Sequence, residues 1–489
     1  MRRNSNKKSR IGIFLILIVL VSSCDDFLDT ETVSEISDTQ FWQSNKDLET
    51  GVLSAYDALQ GVLRRNYWHW GEGRSDNFSL NEKPSVETQQ LLENSIDASN
   101  PSADWSQVYR AIGLSNLVID KSKDIENANM SLVAEAYAIR AFCYFYSIRV
   151  WDGVPKITEP VTDAALDVKL PRSSSQDIID NVIIPDLLEA EKLISRLSGH
   201  TRFTIGGVWA LMAHVYMWND QYELAIEAVD NIIDGGSYTL VEDRESWSEM
   251  FIGEEGSELI FSLGFNTDAD VGSGRSQAKT MLNDGSPDYI YSSKILASWK
   301  KRFPTDSQTW VALYPDFSDR EFYGDWRLLE SMNTDDGVNQ EEWDRDNRRV
   351  TTKFKKEIGG DADIDGTDYP IFRYAGILLL KAEAEAGLFN QTVALELVNE
   401  IRISRELPTV DVNQSINVIE LIDFILEERQ YELYAEGHRW FDLRRHSRVL
   451  DVMEPINGFD NEDLLVWPVS VRAMARNGEL IQNDGYIVQ

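Results

Sequence analysis

The chain has 489 residues, of which 82 are acidic and 47 basic, for a formal net charge of −35. A surface this acidic repels phosphate backbones and anionic lipid, which argues against nucleic acid as a partner. The five basic residues among the first ten, with no acid beside them, leave the remainder more acidic still.

Arg2, Arg3, Lys7, Lys8 and Arg10 form a basic start, followed by an apolar run over 11–21 and then by Ser22, Ser23 and Cys24. This is the pattern of a secretory signal over 1–23. The run is shorter than the roughly 20 apolar residues a bilayer span requires, so a retained transmembrane helix is not expected. Val21-Ser22-Ser23-Cys24 resembles a bacterial lipobox, which makes Cys24 the lipid attachment site and 24–40 a lipidated tether. Acyl chains contribute about 0.8 kcal/mol per buried methylene, enough for several chains to hold a soluble body at a membrane. The other cysteine, Cys143, then has no disulfide partner and reads as a small core residue in an aromatic helix.

The residues from 41 to 489 read as one large, mainly α domain without a dividing linker. Leu48, Val52, Leu53, Tyr56, Leu59 and Leu63 keep a helical period, with Ser44 or Asn45 placed to cap it. Just beyond, Trp68, Trp70, Arg74, Asp76 and Asn77 combine aromatic faces with paired donors and acceptors, a grouping suited to an oligosaccharide. The same rings read equally well as core aromatics beside a loop. A long alanine- and aromatic-rich helix follows over 134–148 and stops at Trp151-Asp152-Gly153-Val154-Pro155.

Helical hairpins are expected over 208–236 and 371–404, each with small residues at its crossings, similar to tetratricopeptide packing but without the regular 34-residue spacing. Between them, 237–370 reads as a loop-rich insertion with a short strand over 258–265. Ligand-facing residues are expected there, because insertions on a helical scaffold carry function. Tyr289 and Tyr291 alternate and so share one face of an extended segment. Asp361, Asp363, Asp365 and Gly366 form the first half of a calcium loop, but Phe372 stands at the twelfth position where an EF-hand needs a glutamate. A solvated acidic loop is the preferred alternative, and no cofactor is expected.

In 427–445, Glu428, Arg429, Glu432, Glu436 and Arg439 recur at helical spacing, and Asp442 follows among Trp440, Phe441 and Leu443. A catalytic carboxyl pair requires one acid kept protonated, which neighbouring cations oppose. A partly buried ion-pair network is therefore expected, with Arg429 and Arg439 holding Glu432 and Glu436 ionised.

The order of Glu428, Arg429, Glu432, Leu433, Glu436, Gly437, Arg439, Trp440, Asp442, Leu443, Arg444 and Arg445 resembles the C-terminal signature of the SusD/RagB family. Phe27-Leu28-Asp29, the stretch from Ala134 to Pro155 and the tail motifs Leu465-Val466-Trp467-Pro468-Val469 and Gln482-Asn483-Asp484-Gly485-Tyr486 resemble it too. The chain departs from the family pattern at Trp151-Asp152, and at Val471-Arg472, where an acidic residue is more usual. The resemblance implies a lipid-anchored outer-membrane protein that binds a nutrient, foremost an oligosaccharide, without altering it. It further implies a SusC-like TonB-dependent transporter as partner, and Asp25 and Asp26 after the lipid cysteine are associated with display on the cell exterior. A surface glycoside hydrolase and a helical-repeat scaffold for proteins are the alternatives.

Overall fold

The computed structural model describes residues 41–81, 83–161, 169–252, 256–265, 276–282, 287–320, 322–333, 349–354 and 367–487. The signal segment, the tether with Cys24, and Asp361, Asp363 and Asp365 lie outside the described residues.

Helix α1 spans Asn45–Gly71 and buries Leu48, Val52, Ala55, Leu59, Val62 and Leu63 along one face. It packs on α2, Ser106–Lys121, whose Val108, Ala111, Ile112, Val118 and Ile119 supply the facing stripe. The contact is close: a Cβ on Gly51 would lie 2.6 Å from the Trp42 ring and 2.9 Å from Val118. Helix α3, Met130–Trp151, starts at the Asn129 cap and is buried almost all round, so it forms the axis of the helical half. Its end is fixed by Asp152 at φ +65° and by Gly153. Cys143 sits buried within it.

Helix α4, Ile184–Leu193, lies against α3. The hairpin of α5, Ile205–Trp218, and α6, Tyr222–Asp234, turns at Asp220 (φ +54°), and Thr204 caps its start by accepting from Gly207 N at 3.1 Å. The stretch read as loop-rich carries short helices between its irregular segments: α7 Arg244–Ile252, α8 Ser293–Arg302 and α9 Trp326–Ser331. The second hairpin, α10 Tyr374–Gly387 and α11 Gln391–Ser404, packs on α6 and on α12, Val418–Glu432. Helices α13 Arg439–Arg445, α14 Val449–Asn457 and α15 Val471–Arg476 close the chain.

Three two-stranded antiparallel sheets are present among the described residues. Strand β1, Phe78–Leu80, pairs with β5, Tyr289–Tyr291, in the register Phe78 to Tyr291. Strand β2, Val154–Pro155, pairs with β3, Arg172–Ser173. Strand β4, Leu259–Leu263, pairs with β6, Tyr369–Arg373, through a bulged register that brings Arg373 opposite Leu259. The fold is mainly helical, with stacked hairpins and one continuous apolar core. No helix of the described residues is long and apolar enough to cross a membrane.

Candidate functional site

The charged stretch of α12 is buried. Glu432 accepts from Arg327 Nη1 at 2.7 Å, Arg373 Nη1 at 2.7 Å and Arg405 Nη2 at 2.9 Å. Glu428 accepts from Arg327 and Arg402, both at 2.8 Å, and Glu436 from Lys353 at 2.6 Å and Arg373 at 2.7 Å. Glu258 closes on Arg373 and Arg405, and Asp325 on Arg327. Five carboxylates thus meet five cations in one connected, electrically balanced cluster. Burial raises the Glu432 carboxyl, but Arg405, Arg373 and Arg327 overcome it and hold the group well below the usual carboxylate range. Glu428 and Glu436 are lowered for the same reasons. A carboxyl held ionised in this way has no proton to donate as a general acid.

The partners differ from those expected. Arg429 does not serve Glu432 but pairs with Asp442 and Glu383, each at 2.9 Å, and Arg439 does not serve Glu436 but pairs with Asp76 at 2.9 Å. Helical spacing places side chains on one face, yet a buried face is met by tertiary neighbours, here from α9, α11 and β6. Past α12 the chain turns through Ala435 (φ +63°) and Gly437 (φ +75°) against the end of α1. The two backbones touch there, since a Cβ on Gly71 would lie 2.0 Å from the Gly437 carbonyl oxygen. Glu72 fastens the contact by accepting from Gly437 N at 2.9 Å and Asn77 Nδ2 at 2.8 Å. Burial nevertheless pushes the Glu72 carboxyl up to about 8 against those donors.

The residues expected to carry ligand are all enclosed. Trp68 is 0% exposed, donates from Nε1 to Ala435 O at 3.0 Å and packs its ring against Tyr369 at 4.7 Å. Trp70 donates to Ser102 O and meets Trp151 edge on at 5.1 Å. Arg74 stacks 4.2 Å from the Trp440 ring and donates to Asn94 and to the carbonyls of Leu464 and Leu465. Asn77 is wholly buried between Glu72 and Gln430. Tyr289 and Tyr291 do share a face, but it is the inner one: Tyr289 packs on Phe78, and Tyr291 donates to Asn333 O at 2.8 Å. A buried ring has no face to offer a sugar, so these six are core residues, and the expectation is corrected. The groups that cover them come from distant parts of the chain: Tyr369 and Ala435 for Trp68, Trp151 for Trp70 and Phe78 for Tyr289.

Asp76 is buried as well, with Arg439 on both of its carboxylate oxygens, but it borders the floor of a groove of about 790 Å³ between α8, α12 and α14, beside Gln430. That volume falls within the range typical of ligand clefts. One wall is apolar, formed by Ile419, Phe424 and Val452, and five carboxylates and four cations complete the lining. Three of the carboxylates, Asp76, Asp423 and Glu427, are paired with cations. Arg302 donates to Glu427 from Nε at 3.0 Å, Arg448 to Asp423 at 2.6 Å, and Lys294 stands 3.9 Å from Asp76 while donating to Val452 O. Tyr431 Oη, itself against Ser298, also donates to Glu427 at 2.9 Å. Held carboxylates with spare lone pairs, beside a half-buried phenyl ring, suit a ligand with many hydroxyls and apolar CH faces. Sequence reasoning missed Phe424, Glu427, Arg302 and Lys294. The available signal was an aromatic, Phe424, set off the apolar face defined by Leu421, Ile422, Ile425 and Leu426. Among the described residues no group of three or more His, Cys, Asp or Glu is placed to hold a metal ion.

Comparison with known proteins bears on the whole chain. The SusD family model matches residues 274–486, and a model described as starch-binding associating with outer membrane matches residues 26–217. SusD-like protein P38 of Formosa agariphila is 37% identical, across 97% of this chain and 98% of its own length. A SusD-like protein of Bacteroides ovatus is 24% identical over 93% of this chain and 85% of its own. Among solved structures, a SusD superfamily protein from Bacteroides vulgatus shares the fold with a TM-score of 0.74 at 18% identity, covering 91% of this chain and all of that one. NanU of B. fragilis does so with a TM-score of 0.73 at 20% identity, over 94% of this chain and all of its own.

Proposed function

The chain belongs to the SusD family, and on that premise we propose that it is a lipid-anchored outer-membrane protein that captures an oligosaccharide and passes it to a TonB-dependent transporter. The groove between α8, α12 and α14 is the site we assign to capture. What carries the reading is its pairing of the Phe424 wall with carboxylates already fixed by cations, Glu427 by Arg302 and Asp423 by Arg448. A pyranose stacks its CH face on the ring while its hydroxyls donate to the carboxylates and accept from the guanidinium groups. Binding without hydrolysis is the reading we take, with Glu427 engaged by Arg302 and Tyr431 and Asp423 by Arg448. The lipobox-like Val21-Ser22-Ser23-Cys24 supports the anchor, and the family relationship supports the transporter partner.

Affinity electrophoresis of the purified protein through gels containing neutral polysaccharides tests the site. Phe424→Ala should weaken retention about tenfold, the scale of losing one aromatic contact of 1–1.5 kcal/mol, without lowering Tm. Unchanged retention would assign capture elsewhere, and release of reducing ends during incubation would replace a binding protein with a hydrolase. Membrane fractionation of Cys24→Ala tests the anchor: the variant should appear in the soluble fraction, and one still found with membranes would refute it.

A further inference from the structure

A second, smaller concavity, of about 230 Å³, lies where the start of α2 meets β2 and the tail helix α15. Its wall is aromatic. Trp105 and Tyr109 stand at 66° to one another with ring centroids 6.0 Å apart, and Pro155 continues the surface. The Tyr109 hydroxyl already donates to Pro155 O at 2.6 Å, so the ring is fixed and its face is what remains to be used.

The rim is cationic. Arg472 and Arg476 stand one turn apart on α15, at the place where the tail departs from the family pattern. Arg472 lies 3.2 Å from Asp104, with 60% of its side chain in solvent. Arg476 is exposed and pairs with no acid among the described residues. The large groove is different, since each cation lining it already has a partner. In a chain with a net charge of −35, a free arginine beside an aromatic wall is a local reversal of sign. Screening confines that reversal to its neighbourhood, because at physiological salt charges beyond about 8 Å are largely masked.

We propose that this pocket holds one acidic sugar unit of a longer saccharide, a uronate or a sulfate ester. The ring lies on the half-buried Tyr109, which Trp105 backs from the core, and the anion meets Arg476 with Arg472 beside it. Guanidinium groups recognise both carboxylate and sulfate through paired N–H donors. The enclosed volume suits a single ring rather than a helix or strand of a partner protein. A polysaccharide with an acid on alternate units is also far less densely charged than a nucleic acid, which has a charge every 1.7 Å or so, and the acidic surface repels it correspondingly less. The proposal rests on the carbohydrate-binding reading above and adds a charge-selective subsite to it.

Isothermal titration of the purified protein with four probes tests it: trigalacturonate, its uncharged methyl ester, neocarrabiose 4-sulfate and unsulfated neocarrabiose. At least one acidic probe should bind about tenfold more tightly than its neutral twin, and lose affinity between about 50 and 200 mM salt. Which of the two acidic probes does so identifies carboxylate or sulfate as the preferred anion. Arg476→Gln should bring that affinity down to the level of the neutral twin, and Arg472→Glu should do the same. Both positions are exposed, and an unchanged Tm shows that the variants fold. Equal binding of acidic and neutral twins, or an acidic preference that survives both substitutions, overturns the proposal. If a neutral glycan is retained through Phe424 while neither acidic probe is preferred, this subsite alone falls. If no saccharide of either kind binds, the carbohydrate reading falls with it.

Discussion

Replacing Glu432 with glutamine keeps the shape of the side chain but removes one of five negative charges from a cluster whose five cations otherwise balance them. Arg327, Arg373 and Arg405 all donate to that carboxylate at 2.7 to 2.9 Å. At an effective dielectric of about 20, each charge pair some 4 Å apart is worth roughly 4 kcal/mol before desolvation is subtracted. Much of this is offset because a buried carboxylate no longer has to be stripped of water, so the net loss should be about 3–5 kcal/mol, the usual cost of stranding a buried charge. Urea denaturation followed by tryptophan fluorescence reads it as a fall in the midpoint. The pairing with Arg405→Gln is the sharper test: the double variant returns the cluster to four charges of each sign. It should be more stable than the sum of the two single losses predicts by about 1–3 kcal/mol. Additive losses, or a Glu432→Gln protein as stable as the parent, would refute charge balance as the source of its stability.

The same network sets the response to acid. Glu428, Glu432 and Glu436 have folded pKa values below their unfolded ones, so their contribution is present above about pH 4.3 and is lost as pH falls through the folded values. Denaturation midpoints between about pH 6 and pH 3 should therefore drop steeply for the parent and less steeply for Glu432→Gln; equal slopes would contradict this. Glu72 runs the other way. With its folded pKa raised to about 8, its contribution is complete below its unfolded value and lost as pH rises towards 8. Glu72→Gln should thus gain Tm relative to the parent on going from about pH 5 to pH 8.5, and a constant difference would show that Glu72 is ionised throughout. Gly71→Ala puts a methyl 2.0 Å from a backbone oxygen and should cost at least about 1–3 kcal/mol in thermal or urea unfolding. Trp68→Ala should cost about 3–5 kcal/mol, and a variant of parental stability would return Trp68 to the surface.

How much of this could be read from the residues depends on how far away the partners lie. The hairpins α5–α6 and α10–α11 were legible because a buried helical face is written locally, in Val208, Leu211 and Val215 or in Leu378, Leu379 and Ala382. The charged stretch around Glu432 could be read as buried because aromatic residues are mixed into it. Its counter-ions could not, since Arg327, Lys353, Arg373 and Arg405 come from four separate segments. Trp68 and Trp70 sit beside polar residues and looked like a platform. What encloses them is Tyr369, Ala435 and Trp151, which sequence proximity does not reveal. Asp76 is buried against Arg439, and the groove it borders is walled by α8 from well upstream and by α12 and α14 from the carboxyl-terminal part of the chain, a juxtaposition that sequence proximity does not reveal.

The balanced cluster also has an order in time. Reading from the amino terminus, Glu258 and Asp325 are the only two of its acids made before all five of its cations, Arg327, Lys353, Arg373, Arg402 and Arg405, have been added. Until Glu428, Glu432 and Glu436 emerge, closing the centre of the molecule would trap an excess of positive charge away from water, at several kcal/mol per unpaired ion. A chain ending before Glu428 would therefore lack the three carboxylates that balance this centre.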